Sequence, residues 1–177
     1  MCLFLELFSL VLLTCYIVHF YFAEEGDVWE ITTGSVGISV EQLAIHMDAN
    51  TVNIEVYHRP GVSDYSYSDS YELEFSGSVT GQGQGVPTVL PAFATPIDIP
   101  PNSSHTFYTT GTTDPFSIYH SSGTAVHTVF ASDSYIDIKE GWSGRFPFLT
   151  PTSPTQWNGE IIDLKGLIIK CCCLFFL

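Results

Sequence analysis

Residues 51–58 (TVNIEVYH) alternate without a slip: Val52, Ile54, Val56 and His58 fall on one side, Thr51, Asn53, Glu55 and Tyr57 on the other. A repeat of two is what a strand with one buried face produces. Residues 71–75 repeat it, setting Tyr71, Leu73 and Phe75 against Glu72 and Glu74. Further strand-like stretches are 28–33, 42–47, 95–99, 105–110, 116–119, 126–131, 134–139 and 159–163. Clusters of turn-forming residues separate them at 59–61, 81–85, 100–102, 121–123 and 150–154. No segment sustains a helical period and no unit repeats. The expected fold is all-β, an antiparallel β-sandwich of jelly-roll or Greek-key type. Its core is expected to hold Val52, Ile54, Val56, Leu73, Phe75, Ile97, Phe107, Phe130, Ile136, Ile138 and Ile161.

The charge balance narrows the choice of partners. Between residues 24 and 163 there are 18 Asp and Glu but only three basic residues, Arg59, Lys139 and Arg145. Nucleic-acid affinity rests on Lys and Arg neutralising phosphates, so DNA and RNA are disfavoured. Anionic membrane surfaces are disfavoured for the same reason. All five cysteines, Cys2, Cys15, Cys171, Cys172 and Cys173, lie outside this stretch, so its core must hold without a disulfide.

The composition divides the chain into a hydrophobic segment at 1–23, a single domain at 24–163 and a short apolar, Cys-rich tail at 164–177. Segment 1–23 has the length of a secretory signal or signal-anchor, although no Lys or Arg precedes Arg59 and Tyr21 stands where a cleavage site wants a small residue. A lipoprotein box at Leu12–Cys15 fits less well. The tail is too short to span a bilayer as a helix. Its three adjacent cysteines suit palmitoylation, and an incidental terminus is the competing reading. Membrane association is expected only through these two ends, and an extracellular or cell-surface location follows from the leader.

Five stretches in order, VNIEVYHRPG, GSVTGQGQGVPTVLP, IDIPPNSSHTFYTTG, VFASDSYIDIKEGWSGRFPF and SPTQWNGEII, cover most of the domain. The series resembles an uncharacterised secreted β-sandwich module found in surface proteins of diatoms and marine bacteria. The resemblance implies a jelly-roll-like extracellular domain and brings no catalytic residues with it. Members often end soon after the Asn-Gly strand and often carry several modules; here an apolar tail follows and one module is present.

No catalytic constellation stands out. The glycines at 81, 83 and 85 lack the Lys-Ser/Thr of a phosphate loop. Histidines 46, 58, 105, 120 and 127 form no zinc-type pair, and no GxSxG elbow occurs. Glu55, Glu72, Glu74 and Glu140 are available for paired-carboxylate chemistry, but alternation turns the first three outward. Residues 63–71 (SDYSYSDSY) carry more promise. Asp64 and Asp69 offer oxygen ligands of the kind calcium takes. Tyr65, Tyr67 and Tyr71, with Trp142 and Trp157 in late loops, suit stacking against sugar rings, though an aromatic beside Asn158-Gly159 also suits a core. Asn102-Ser103-Ser104 is an N-glycosylation sequon in a Pro-rich turn. The expectation is a non-catalytic surface module for adhesion, matrix assembly or glycan binding, with glycans or extracellular matrix proteins as partners and calcium as the one candidate cofactor. A carbohydrate-active or ester-cleaving hydrolase with a loop-built acidic site, and a purely structural wall component, are the alternatives.

Overall fold

The computed structural model describes residues 21–24, 26–63, 70–113, 118–144, 154–163 and 168–171. Every element there is a strand: β1 (Tyr21–Glu24), β2 (Gly26–Thr33), β3 (Ile38–His46), β4 (Thr51–Pro60), β5 (Glu72–Thr80), β6 (Pro87–Val89), β7 (Ile97–Ile99), β8 (Ser104–Gly111), β9 (Ile118–Ser122), β10 (Val129–Ser132), β11 (Ile136–Ser143), β12 (Pro154–Trp157), β13 (Gly159–Asp163) and β14 (Ile168–Cys171). The larger sheet runs β1-β9-β12-β11-β2-β8-β4-β5, with β10 on β11. The smaller runs β14-β13-β3-β6, with β7 also on β3. All described pairs are antiparallel. The chain is thus an all-β protein with two antiparallel sheets, consistent with a β-sandwich. Strands β1 and β14 pair onto these sheets from beyond the 24–163 span.

One core joins the sheets. Val52, Ile54 and Val56 of β4 meet Trp29, Ile31 and Phe107 on the larger sheet and Val40, Leu43, Ile45 and Ile161 on the smaller. Trp29 lies at its centre, stacked on Trp157 at 3.9 Å and on Phe107 at 4.7 Å. At about 25 cal/mol per Å² of apolar surface, such wholly buried aromatic rings are the largest single contributors to the core.

Two of the four register shifts among the described strands decide which side chains face the site. On β4–β5 the register slips between Val56 and Tyr57, so Phe75 opposes Val56 while Leu73 opposes Tyr57. Phase is lost at that point. Leu73 therefore leaves the core expected from 71–75 and is 52% exposed, whereas Phe75 stays packed against it. The same slip brings Glu74, expected outward, to 3.6 Å from His58 Nε2. Phe130 is likewise partly rather than fully buried. Two expected turns are shorter than their sequence suggests, because Ser121 and Ser122 belong to β9 and Pro154 opens β12. Proline is tolerated at a strand's first residue, where no ladder donor is needed.

Candidate functional site

The second bulge builds the site. Between Lys139 and Trp142 the β11–β2 register shifts, with Lys139 opposite Glu30 and Trp142 opposite Val28. Opposed residues share a face, so Lys139 and Trp142 both stand on the outer face of the larger sheet. Gly141 permits this: a Cβ there would come within 1.8 Å of the Val28 carbonyl oxygen. Register then defines two rows across four strands. One is Lys139, Glu30, Thr106 and Arg59; the other is Trp142, Val28, Tyr108 and Tyr57, continued by Leu73 on β5. With strands about 4.8 Å apart, the aromatic row spans roughly 19 Å.

This face is not an open solvent surface. Val28, Glu30, Thr106 and Tyr108 are buried in the middle of the rows, while Trp142, Tyr57 and Arg59 are half-buried towards the ends. What a ligand can reach is the rim.

Glu30 is the hub beneath it. Its carboxylate accepts from Lys139 Nζ at 2.8 Å, His127 Nδ1 at 3.2 Å and the Ser63 amide at 3.2 Å. Ser63 Oγ and Thr32 Oγ1, each at 3.4 Å, complete the set. Burial pushes its pKa up, but the Lys139 and Ser63 hydrogen bonds, the Lys139 charge and His127 outweigh burial and hold it below the ordinary value. With every lone pair engaged, Glu30 organises the site and has no proton to trade.

His127 is delivered by the β9–β10 connection. The Glu140 carboxylate accepts from the Thr124 and Ala125 amides and from Gln156 Nε2. Backbone bonds at 2.8 Å run from His127 N to Glu140 O and from Glu140 N to Thr128 O. His127 itself sits at φ 68°, left-handed for a non-glycine residue, at a cost of about 1–2 kcal/mol. The surrounding bonds sustain that strain and bring the imidazole onto Glu30. Its side chain is 44% exposed and meets Trp142 edge-on, with ring centroids 6.3 Å apart.

Ser63, His127 and Glu30 have the composition of a nucleophilic triad without its geometry. Ser63 Oγ (3.5 Å) and Glu30 Oε2 both approach Nδ1 of the same imidazole. A triad needs serine and acid on opposite ring nitrogens. Glu140, named above for paired-carboxylate chemistry, is buried and occupied by the 124–125 amides.

At the other end of the charged row, Arg59 donates to Val62 O at 2.8 Å and Ser70 Oγ at 3.3 Å, and its guanidinium lies 5.2 Å from the Tyr71 ring centre. The described residues that flank 64–69 are thus both hydrogen-bonded, Ser63 to Glu30 and Ser70 to Arg59. Asp64, Tyr65, Tyr67 and Asp69 lie outside the described residues. Of the remaining expected site residues, the structure brings Trp142 to the Glu30–His127 cluster and Tyr71 to Arg59. Trp157 is placed elsewhere, fully buried on Trp29, and offers no ring face to a ligand. Asn102 is exposed at φ 52° in the β7–β8 turn. Among the described residues no group of three or more His, Cys, Asp or Glu is arranged to hold a metal ion.

Sequence reasoning passed over Glu30, His127, Lys139 and Arg59 as site residues. The signal available was scarcity: two of the domain's three basic residues fall on one cross-strand row. No protein-family model matches the chain, and no curated protein does.

Proposed function

We propose that this chain is a non-catalytic β-sandwich module that binds carbohydrate at the rim of its larger sheet, in an extracellular or cell-surface setting. One observation carries the reading: Trp142 and the exposed imidazole of His127 stand together over a buried, fully engaged Glu30. A half-exposed aromatic supplies a stacking surface, and hydrogen-bonding groups beside it suit hydroxyls. The saturation of Glu30 argues for binding over hydrolysis, which requires a carboxylate able to gain or lose a proton. The hydrophobic leader and the resemblance to secreted modules of diatoms and marine bacteria support the location. The stacking role expected of Tyr65 and Tyr67 and the calcium-binding role expected of Asp64 and Asp69 stay part of this reading on their sequence alone.

The test is titration of the intact chain with a panel of neutral and acidic polysaccharides, with and without calcium. Saturable binding that is lost on Trp142→Ala supports the proposal. A folded protein that ignores the whole panel makes it a structural component instead.

A further inference from the structure

The β9–β10 connection closes on a tight turn at residues 125–128, where the Thr128 amide donates to Ala125 O at 3.1 Å. His127 is the third residue of that turn, at φ 68°. A positive φ there calls for Gly, or Asn, because the region costs them least. The other non-glycine residue with positive φ among the described residues is indeed an asparagine, Asn102. His127 departs from that preference. A strained position sustained by its surroundings points to a demand on the side chain itself.

The imidazole has one nitrogen engaged and one presented. Nδ1 lies 3.2 Å from Oε2 of Glu30, and a carboxylate only accepts. The neutral ring therefore carries its proton on Nδ1, which leaves Nε2 as the acceptor. The side chain is 44% exposed, and among the described residues Nε2 meets no donor. Two carboxylates face this connection, Glu30 from β2 and Glu140 from β11, the second holding the Thr124 and Ala125 amides. The one cation beside them, Lys139, is spent on Glu30. The Trp142 ring centre is 6.3 Å from that of His127, so a sugar stacked on the indole comes within reach of Nε2.

We propose that His127 selects the ligand of the Trp142 rim: its Nε2, fixed as an acceptor, takes a hydrogen bond from a sugar hydroxyl, so the site admits neutral glycans and turns away uronate and sulfate groups. A hydroxyl donates as well as accepts. An ionised carboxylate or sulfate only accepts, and at this nitrogen it would set lone pair against lone pair. The two nearby carboxylates and the chain's net charge of −14 add to the exclusion. Glycine suits the turn better than histidine but carries no acceptor. This selectivity rests on the carbohydrate reading above.

The experiment is calorimetric titration of the intact chain in mildly alkaline buffer, with about 0.15 M salt to screen the long-range charge. The probes are a neutral glucan, a neutral mannan, a polyuronate and a sulfated galactan. Wild type is expected to bind a neutral polymer more tightly than either acidic one, by about tenfold or more. A fully O-methylated preparation of that neutral polymer keeps the rings but has no hydroxyl to donate, and it should bind about tenfold or more weakly. His127→Gly should lose as much while its melting temperature stays within a few degrees of wild type, since the turn accepts glycine. Should that variant fold poorly, the methylated polymer tests the selection on wild type alone. An acidic polymer bound as tightly as the neutral ones, or undiminished binding with either the methylated polymer or His127→Gly, would overturn selection by His127. If that binding is still lost in Trp142→Ala, the carbohydrate reading stands. No binding of any of the four polymers would overturn both.

Discussion

Lys139 reaches from β11 to place its ammonium 2.8 Å from Oε1 of Glu30, a carboxylate with no solvent exposure, while its own side chain keeps 20%. The two partners are therefore unequal. Lys139→Met strands a buried charge and should cost about 3 kcal/mol. Glu30→Gln leaves an amine that can turn to water and should cost about 1 kcal/mol. Denaturant unfolding of both variants measures the difference; equal costs would contradict the hub role of Glu30.

The two tryptophans named as ligand platforms should separate cleanly. Trp157→Ala removes a buried ring stacked on Trp29 and is expected to cost about 3–5 kcal/mol. Trp142→Ala removes a half-buried ring at the rim and should cost about 1 kcal/mol of stability. Thermal unfolding of the pair provides the comparison.

The β4–β5 bulge has its own signature. Ile54→Asp buries an unpaired carboxylate and should abolish folding. Leu73→Asp changes a side chain that the bulge turns to solvent, and it should shift stability by less than about 0.5 kcal/mol. A Leu73→Asp protein that unfolds would restore the uninterrupted alternation of 71–75.

Acid should destabilise the protein in two stages. His58 and His105, and also His46, are depressed mainly by burial, with His105 at about 4 against 6.5 when free. The unfolded chain protonates first, so their contribution is whole above about pH 6.5 and is lost as pH falls through their folded values, which for His105 is about 4. Glu30 is depressed below its free value of 4.5, so its contribution persists above that pH and is lost as pH falls through the folded value. Both signs agree: the melting temperature should fall below about pH 6.5 and fall further below 4.5. His105→Gln should flatten the first stage and leave the second.

Strand identity was legible wherever alternation ran unbroken, as in 51–58, because period-two burial is a local property. Leu73 misled because a bulge is decided by pairing between β4 and β5, which alternation within 71–75 does not record. Strand β12 hid behind Pro154, a residue that reads as a stop but is harmless at a strand's first position. Trp157 was ambiguous beside Asn158-Gly159 until its partner, Trp29, was known. The site was less legible than the fold. Glu30 meets Lys139, Ser63 and His127 from distant parts of the chain, and no local pattern announces such a meeting. Trp142 was recognisable only as an aromatic in a late loop; the bulge at Gly141 explains why it faces outward.

The most direct measurement is calorimetric titration of the intact chain, and of its Trp142→Ala variant, with whichever polysaccharide in the panel responds. Binding by the wild type, with at least a tenfold loss in the variant (about 1.4 kcal/mol) and no more than the few-degree drop in melting temperature that a stability loss of about 1 kcal/mol brings, is the predicted result. Equal affinity in the two proteins, or no response from wild type to any glycan, would contradict a carbohydrate site at this rim.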